Sequence, residues 1–258
     1  VALDVPMIQL MGIAMPRIAI IACALSLVAT QASASLTIQS STGGGALTSP
    51  GIVHANFDDL TLGAGGGTSA GIAVSFINDA KLVQSSVSPD PTYAMPFLSG
   101  ANGIGFGSPD QVNGADVSKY ITAGKNTDHS LTGPNATLNF GAAYNYLGIL
   151  WGSVDSYNML RLYLGGDLVA TISGGDVTSN PDGNQGLGGT YYVNITGVSF
   201  DKVIATSSEY AFEFDNVAYG AIPEGVTSDV VPETSTIAVW SILSVMGLGM
   251  AVRRSGSV

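Results

Sequence analysis

The chain has 258 residues, of which 46% are apolar and 10% charged, and its formal net charge is −11. That much apolar content with so little charge excludes an intrinsically disordered chain, and the acidity excludes a protein that grips a nucleic-acid phosphate backbone. With 34 glycines the composition suits short strands joined by many turns.

The first segment has the pattern of a signal peptide. Arg17 precedes an apolar run from Ile18 to Ala29, and Ala32-Ser33-Ala34 follows. A positive residue, an apolar stretch of about 7–15 residues and a small-x-small site are what signal peptidase reads. Only small side chains fit the peptidase pocket, so cleavage is expected after Ala34, removing residues 1–34, with Met11 or Met15 as the initiator. Cys23, the one cysteine, lies in this segment. The domain that remains then has no thiol for a disulfide, a metal or a nucleophile. Residues 1–34 and 231–258 hold the acids Asp4 and Glu233 and the bases Arg17, Arg253 and Arg254, so of 19 acids and 8 bases residues 35–230 keep 17 and 5.

Residues 35–222 are expected to form one extracellular domain, long enough to enclose a sizeable core. Residues 40–50, rich in Ser, Thr and Gly, read as a flexible lead-in. Residues 63–71 read as a glycine loop, and residues 86–96, with three prolines, as another loop. Elsewhere apolar residues alternate with polar or small ones, which is the period of a strand. Ile72, Val74 and Phe76 form one such run, Leu138 and Phe140 another, and Leu147, Ile149 and Trp151 a third. Leu160, Leu162 and Leu164 share a face, and Gly165-Gly166-Asp167 predicts a hairpin into Leu168, Ala170 and Ile172. Tyr191, Val193 and Ile195 follow, then Tyr210, Phe212 and Phe214. Each run is short and bounded by turn residues, and no long helical pattern competes. The turns are too unevenly spaced for a solenoid or propeller. The expected fold is all-β, a jelly-roll-like β-sandwich.

Few residues here suggest chemistry. His54 and His129 are the two histidines, and neither has a second ligand at zinc spacing. No nucleophile elbow is read along the chain, and the glycines at 63–67 lack the Lys-Ser/Thr that would hold phosphate. Glu213 and Asp215 are two apart on a strand and so share a face. Paired carboxylates of this kind can run glycoside hydrolysis. However, Ala218 stands where a third acid would complete a Glu-x-Asp-x-x-Glu set, and a solvent-facing or loop-tethering acidic pair is the simpler reading. No enzymatic activity is expected.

Calcium is the better chemical candidate. Asp58 and Asp59 lie near the start of the domain, and Asp215 and Asn216 near its end, where the ends of a sandwich tend to meet. Hard oxygen ligands are what Ca²⁺ requires. The alternative is that these side chains only make turn hydrogen bonds. Residues 180–184, Asn-Pro-Asp-Gly-Asn, read as a plain turn. Tyr144, Tyr146, Tyr191 and Tyr192 are candidates for a carbohydrate platform, since a flat ring stacks on a sugar face. Core packing is the alternative for most of them.

After a stalk over residues 223–230 comes a three-part tail over 231–258. It reads Val231, Pro232, Glu233, Thr234, Ser235, then a 16-residue apolar run over 237–252, then Arg253 and Arg254. A transmembrane helix is expected over 236–252, close to the roughly 20 residues that span a bilayer. Trp240 near its outer end and the terminal arginine pair put the domain outside the membrane.

This tail resembles the PEP-CTERM sorting signal, although Thr234 stands where that family usually has its second proline. The resemblance implies recognition and cleavage by a membrane-embedded exosortase, with membrane anchoring before processing and surface or extracellular localisation after it. Trp151-Gly152-Ser153-Val154-Asp155-Ser156-Tyr157-Asn158 and the stretch from Tyr210 through Asp215-Asn216-Val217 to Tyr219 also resemble segments of exosortase-dependent surface proteins. Three functions stay open on this basis. The first is a structural or adhesive component of a biofilm or exopolysaccharide matrix. The second is a calcium-dependent carbohydrate-binding module for exopolysaccharide or surface glycans, and the third a secreted hydrolase.

Overall fold

The structure is a computed structural model and describes residues 35–84 and 92–223. The expected signal segment with Ala32 and Ala34, most of the stalk, and the tail with its sorting motif and span lie outside the described residues. Among the described residues, no helix is long and apolar enough to cross a membrane.

In chain order the strands are β1 (Thr37–Ser41), β2 (Val53–Ala55), β3 (Gly67–Ser69), β4 (Ile72–Ile77), β5 (Lys81–Val83), β6 (Phe97–Leu98), β7 (Gly114–Ala115), β8 (Tyr120–Thr122), β9 (Asn135–Gly152), β10 (Asn158–Leu164), β11 (Asp167–Ser173), β12 (Tyr191–Ser207) and β13 (Glu213–Gly220). The fold is all-β, and these strands pair antiparallel throughout. One sheet has the spine β11-β10-β12-β9-β13-β8-β5. β1 adds to β12, β2 to β13, and β4, carrying β3, to β9. β6 and β7 form a separate two-stranded ribbon.

Two long strands organise the sheet. β9 pairs with β4 through its first residues and with β12 and β13 through its last. At the joint Gly141 takes φ +70°, a left-handed conformation that costs glycine little. The core-facing parity changes across that joint: Ala136, Leu138 and Phe140 point inward before it, and Leu147, Ile149 and Trp151 after it. β12 slips in register between Thr196 and Phe200. There Gly197 sits at φ +85°, and a Cβ on it would come within 1.9 Å of the Ser35 carbonyl oxygen.

The alternation read from the sequence lands inward at Ile72 and Val74, at Leu160 and Leu162, and at Val193 and Ile195. The hairpin at Gly165-Gly166 is present, with both glycines at positive φ. Leu168 is an exception and is 53% exposed. Leu162 faces Ala170 but Tyr163 faces Leu168, so Val169 is an extra residue and the strand beyond it turns over.

A half-buried antiparallel sheet would leave one face to water. Here the last part of β9 and all of β13 are buried on both faces. Their outer residues Tyr146, Leu150 and Ala218 join Leu98, Phe106, Tyr192 and Ile222 in a second apolar cluster. Residues 42–52 and 92–119 cover it. This corrects the reading of 40–50 as a free lead-in. Ser40 and Ser41 close β1, Ala46 and Leu47 pack on the second cluster, and the Leu47 N–H donates to the Tyr146 hydroxyl at 2.9 Å. The glycine loop at 63–71 likewise contains β3.

Candidate metal centre

β13 carries Phe214 and Val217 into the main core. Residues three apart cannot share a face on a regular strand. They do so here because three steps from Asp215 to Ala218 match two steps from Leu150 to Gly148 on β9. The extra residue is Asn216, at φ +48°. Such a bulge leaves Asp215 on the outer face, under the cover, and both it and Asn216 are wholly buried.

The cover brings two more acids to this spot. Asp110 lies in the single 3₁₀ turn Pro109–Gln111, and Asp116 directly follows β7. One carboxylate oxygen from each of Asp110, Asp116 and Asp215 falls within 4.8 Å of the other two, and all three residues are buried. Asp110 accepts from Asn56 Nδ2 at 3.0 Å. Ser118 Oγ lies 3.0 Å from Asp110 Oδ1 and 2.5 Å from Asp116 Oδ1, while the Ser118 N–H donates to Asp116 Oδ1 at 2.8 Å. Asp116 Oδ2, both carboxylate oxygens of Asp215 and both side-chain polar atoms of Asn216 are buried without a hydrogen-bond partner.

Asp58 sits at the rim. Its Oδ2 takes a 3.2 Å bond from Asn56 Nδ2, its Oδ1 accepts from the Lys119 N–H at 3.1 Å, and its charge opposes ionisation of Asp110 and Asp116. Lys119 supplies no counter-charge to the three acids, since its Nζ donates to the carbonyls of Asp58 and Leu60. The ion pairs among the described residues, Lys81–Asp79 and Lys125–Glu209, lie elsewhere.

Burial, reinforced by the charges of Asp116 and Asp110, pushes the Asp215 carboxyl well above the ordinary carboxylate range. Burial also raises Asp116, and it takes Asp110 to about 6. Three buried carboxylates cannot all be ionised unless something positive sits among them. A cation fits the centre, and so do shared protons, one of them bridging Asp116 and Asp215. The clustered donors are all carboxylate oxygens, with no His or Cys in the group. That set suits Ca²⁺ or Mg²⁺ rather than zinc or copper.

Of the residues expected to bind calcium, Asp215 is at the centre, Asn216 is next to it in the chain and Asp58 is at the rim. Asp59 is exposed and stands outside the group, so its inclusion is corrected. Asp110 and Asp116 were not anticipated. The available signal was a pair of acids six apart, with no base between them, in a chain poor in charge.

The tyrosine platform is corrected at Tyr146 and Tyr192. Tyr146 and Tyr192 are fully buried and hydrogen-bonded, with the Tyr146 hydroxyl donating to Asn194 Oδ1 at 2.8 Å and that of Tyr192 to the Asn216 carbonyl at 3.1 Å. Neither offers a ring face to a sugar. Tyr144 and Tyr191 are partly buried against the main core.

Glu213 does share the outer side of β13 with Asp215, but neither faces solvent. Glu213 is 1% exposed, accepting from the Ala94 N–H at 3.1 Å and from Ser153 Oγ at 2.8 Å. It tethers loops, and burial lifts its carboxyl to about 8. His54 packs edge-on to Phe106, and His129 Nδ1 lies 2.9 Å from Thr206 Oγ1. Residues 180–184 are not the plain turn expected: Asp182 makes an antiparallel bridge to Asp155 and accepts from Asn180 and Asn184.

The reading that no Gly-x-Ser-x-Gly pattern exists needs correcting, because Gly67-Thr68-Ser69-Ala70-Gly71 has that spacing. An elbow requires a strand-to-helix turn with an exposed serine. Here the chain makes the β3–β4 hairpin, and Ser69 is 2% exposed.

No protein-family model matches the chain, and no curated protein matches it.

Proposed function

We propose that the protein is an exported cell-surface or extracellular-matrix component, processed by signal peptidase and an exosortase, with a structural or adhesive role beside exopolysaccharide. The observation that carries this reading is the junction between fold and processing signals. β1 begins at Thr37, three residues past the expected cut after Ala34, and β13 ends at Gly220, ahead of the expected stalk and tail. All the strands among the described residues lie between the two expected cuts. The domain's architecture is a jelly-roll-like sandwich, a reading supported by the turns of β9 at Gly141 and β12 at Gly197 and by the single core that both parts of each strand feed. An adhesive role is supported by the cover, where Ile104, Val112 and Val117 are each more than 60% exposed.

The test is to express the full chain with a C-terminal tag in a host that has an exosortase and in the same host lacking it. Mass spectrometry of surface material from the first is expected to find Ser35 as the N-terminus and the tag gone. In the second, the tag is expected to be retained in the membrane. Identical products in both hosts would overturn the exosortase reading, and an uncleaved cytoplasmic product would overturn export.

A further inference from the structure

We propose that Asp110, Asp116 and Asp215 hold one calcium ion that staples the 92–119 cover to the outer face of β13. The inference does not depend on the export reading, since it rests on the geometry of the described domain alone. The acids come from two distant parts of the chain and converge within 4.8 Å. A chance cluster at a surface would relax into water. This one cannot, because Asp110, Asp116 and Asp215 are each 0% exposed.

The unpartnered atoms point to what is bound. Asp215 keeps two buried oxygens without a donor and Asp116 keeps one. Native proteins pair nearly all buried polar atoms, so three free acceptors in one cluster of acids call for a ligand that takes several oxygens at once. A shared proton satisfies two of them and leaves the third unanswered. A calcium ion accepts six to eight oxygens in loose geometry, whereas Mg²⁺ demands a tight octahedron and prefers to keep its water.

The neighbours are arranged to hold the acids and leave their free oxygens open. Asn56 and the Ser118 N–H and hydroxyl occupy Asp110 and the Oδ1 of Asp116, while the Oδ2 of Asp116 stays free. Hydrogen bonds to a carboxylate that could hold a metal fix the direction its other oxygen faces. The ion also has a mechanical task. β6 and β7 pair with each other and with no strand of the main sheet, so the cover lacks a ladder to hold it. A single ion bridging Asp110 and Asp116 to β13 supplies that link.

The test uses the purified full chain, stripped with EDTA and dialysed. Calorimetric titration with CaCl₂ is expected to give one ion per chain, with weaker or no uptake of MgCl₂. Saturating Ca²⁺ is expected to raise the melting temperature by roughly 5–10 °C, the shift that ligand at about a hundredfold its Kd gives a domain of this size. Asp215→Asn is expected to abolish uptake. In EDTA that variant should melt no lower than the stripped wild type, because one of three repelling charges is gone. Asp116→Asn gives the same reading should Asp215→Asn fail to fold. No calcium uptake by the wild type, with a melting temperature that ignores EDTA and climbs on acidification, would overturn the proposal in favour of protons shared among the acids.

Discussion

Replacing Glu213 by Gln perturbs one buried proton and little else. The Gln carbonyl accepts from the Ala94 N–H as the carboxyl does, and its NH₂ donates to the Ser153 hydroxyl in place of accepting from it. Burial holds the native Glu213 carboxyl at about 8 against 4.5 for the ordinary group. Between those values the folded protein binds a proton that the unfolded chain has released. Stability conferred at low pH is therefore lost as pH rises from about 5 to about 8, and is flat above that. At about 1.4 kcal/mol per pH unit of the gap, the full loss is on the order of 5 kcal/mol, and no solvent discount applies to a residue so buried. Glu213→Gln stays neutral, so its stability should lack that slope and exceed the wild type by a few kcal/mol at pH 9. Urea unfolding at pH 5, 7 and 9, in saturating Ca²⁺ so that the neighbouring acids stay in one state, reads the effect. A variant with the wild-type slope, or one less stable than wild type at pH 9, would refute the reasoning.

Other perturbations have distinct expected outcomes. Gly197→Ala forces a side chain into a left-handed position against the Ser35 carbonyl and should cost more than about 1 kcal/mol in urea unfolding. Tyr146→Phe removes bonds to Asn194 and Leu47 inside the second cluster, costing about 1–3 kcal/mol, and should leave retention on exopolysaccharide beads unchanged because the ring is buried. Asp59→Asn should leave calcium affinity unchanged in a calorimetric titration. Asp58→Asn, which acts from the rim, should weaken it by less than about tenfold, the effect of roughly 1 kcal/mol.

The strands were legible wherever a strand buries one face, because period-two alternation survives there. Leu160 and Leu162 point inward for that reason, and Leu168 does not because Val169 adds a residue that no pattern announces. The second layer was not legible. Residues 92–119 show no periodicity, and what fixes them are contacts distant in sequence, such as Ala94 with Glu213 and Asn56 with Asp110. Part of the acidic centre could be read: Asp215 stands out because it follows the aromatic run at Phe212 and Phe214. Asp110 and Asp116 sit among turn residues, where aspartate is common, so only their spacing in a charge-poor chain set them apart. Two of the four platform tyrosines were misread for a related reason. Tyr146 and Tyr192 occupy polar-face positions in the alternation, and only the unread cover makes that face a core.

A crystal structure of the chain grown in CaCl₂ tests the central claim most directly. The account predicts one strong density peak bounded by Asp110, Asp116 and Asp215, with oxygens from these acids at about 2.3–2.6 Å. An empty centre, with the Asp116 and Asp215 oxygens drawn to about 2.5–2.7 Å of each other by a shared proton, would contradict it.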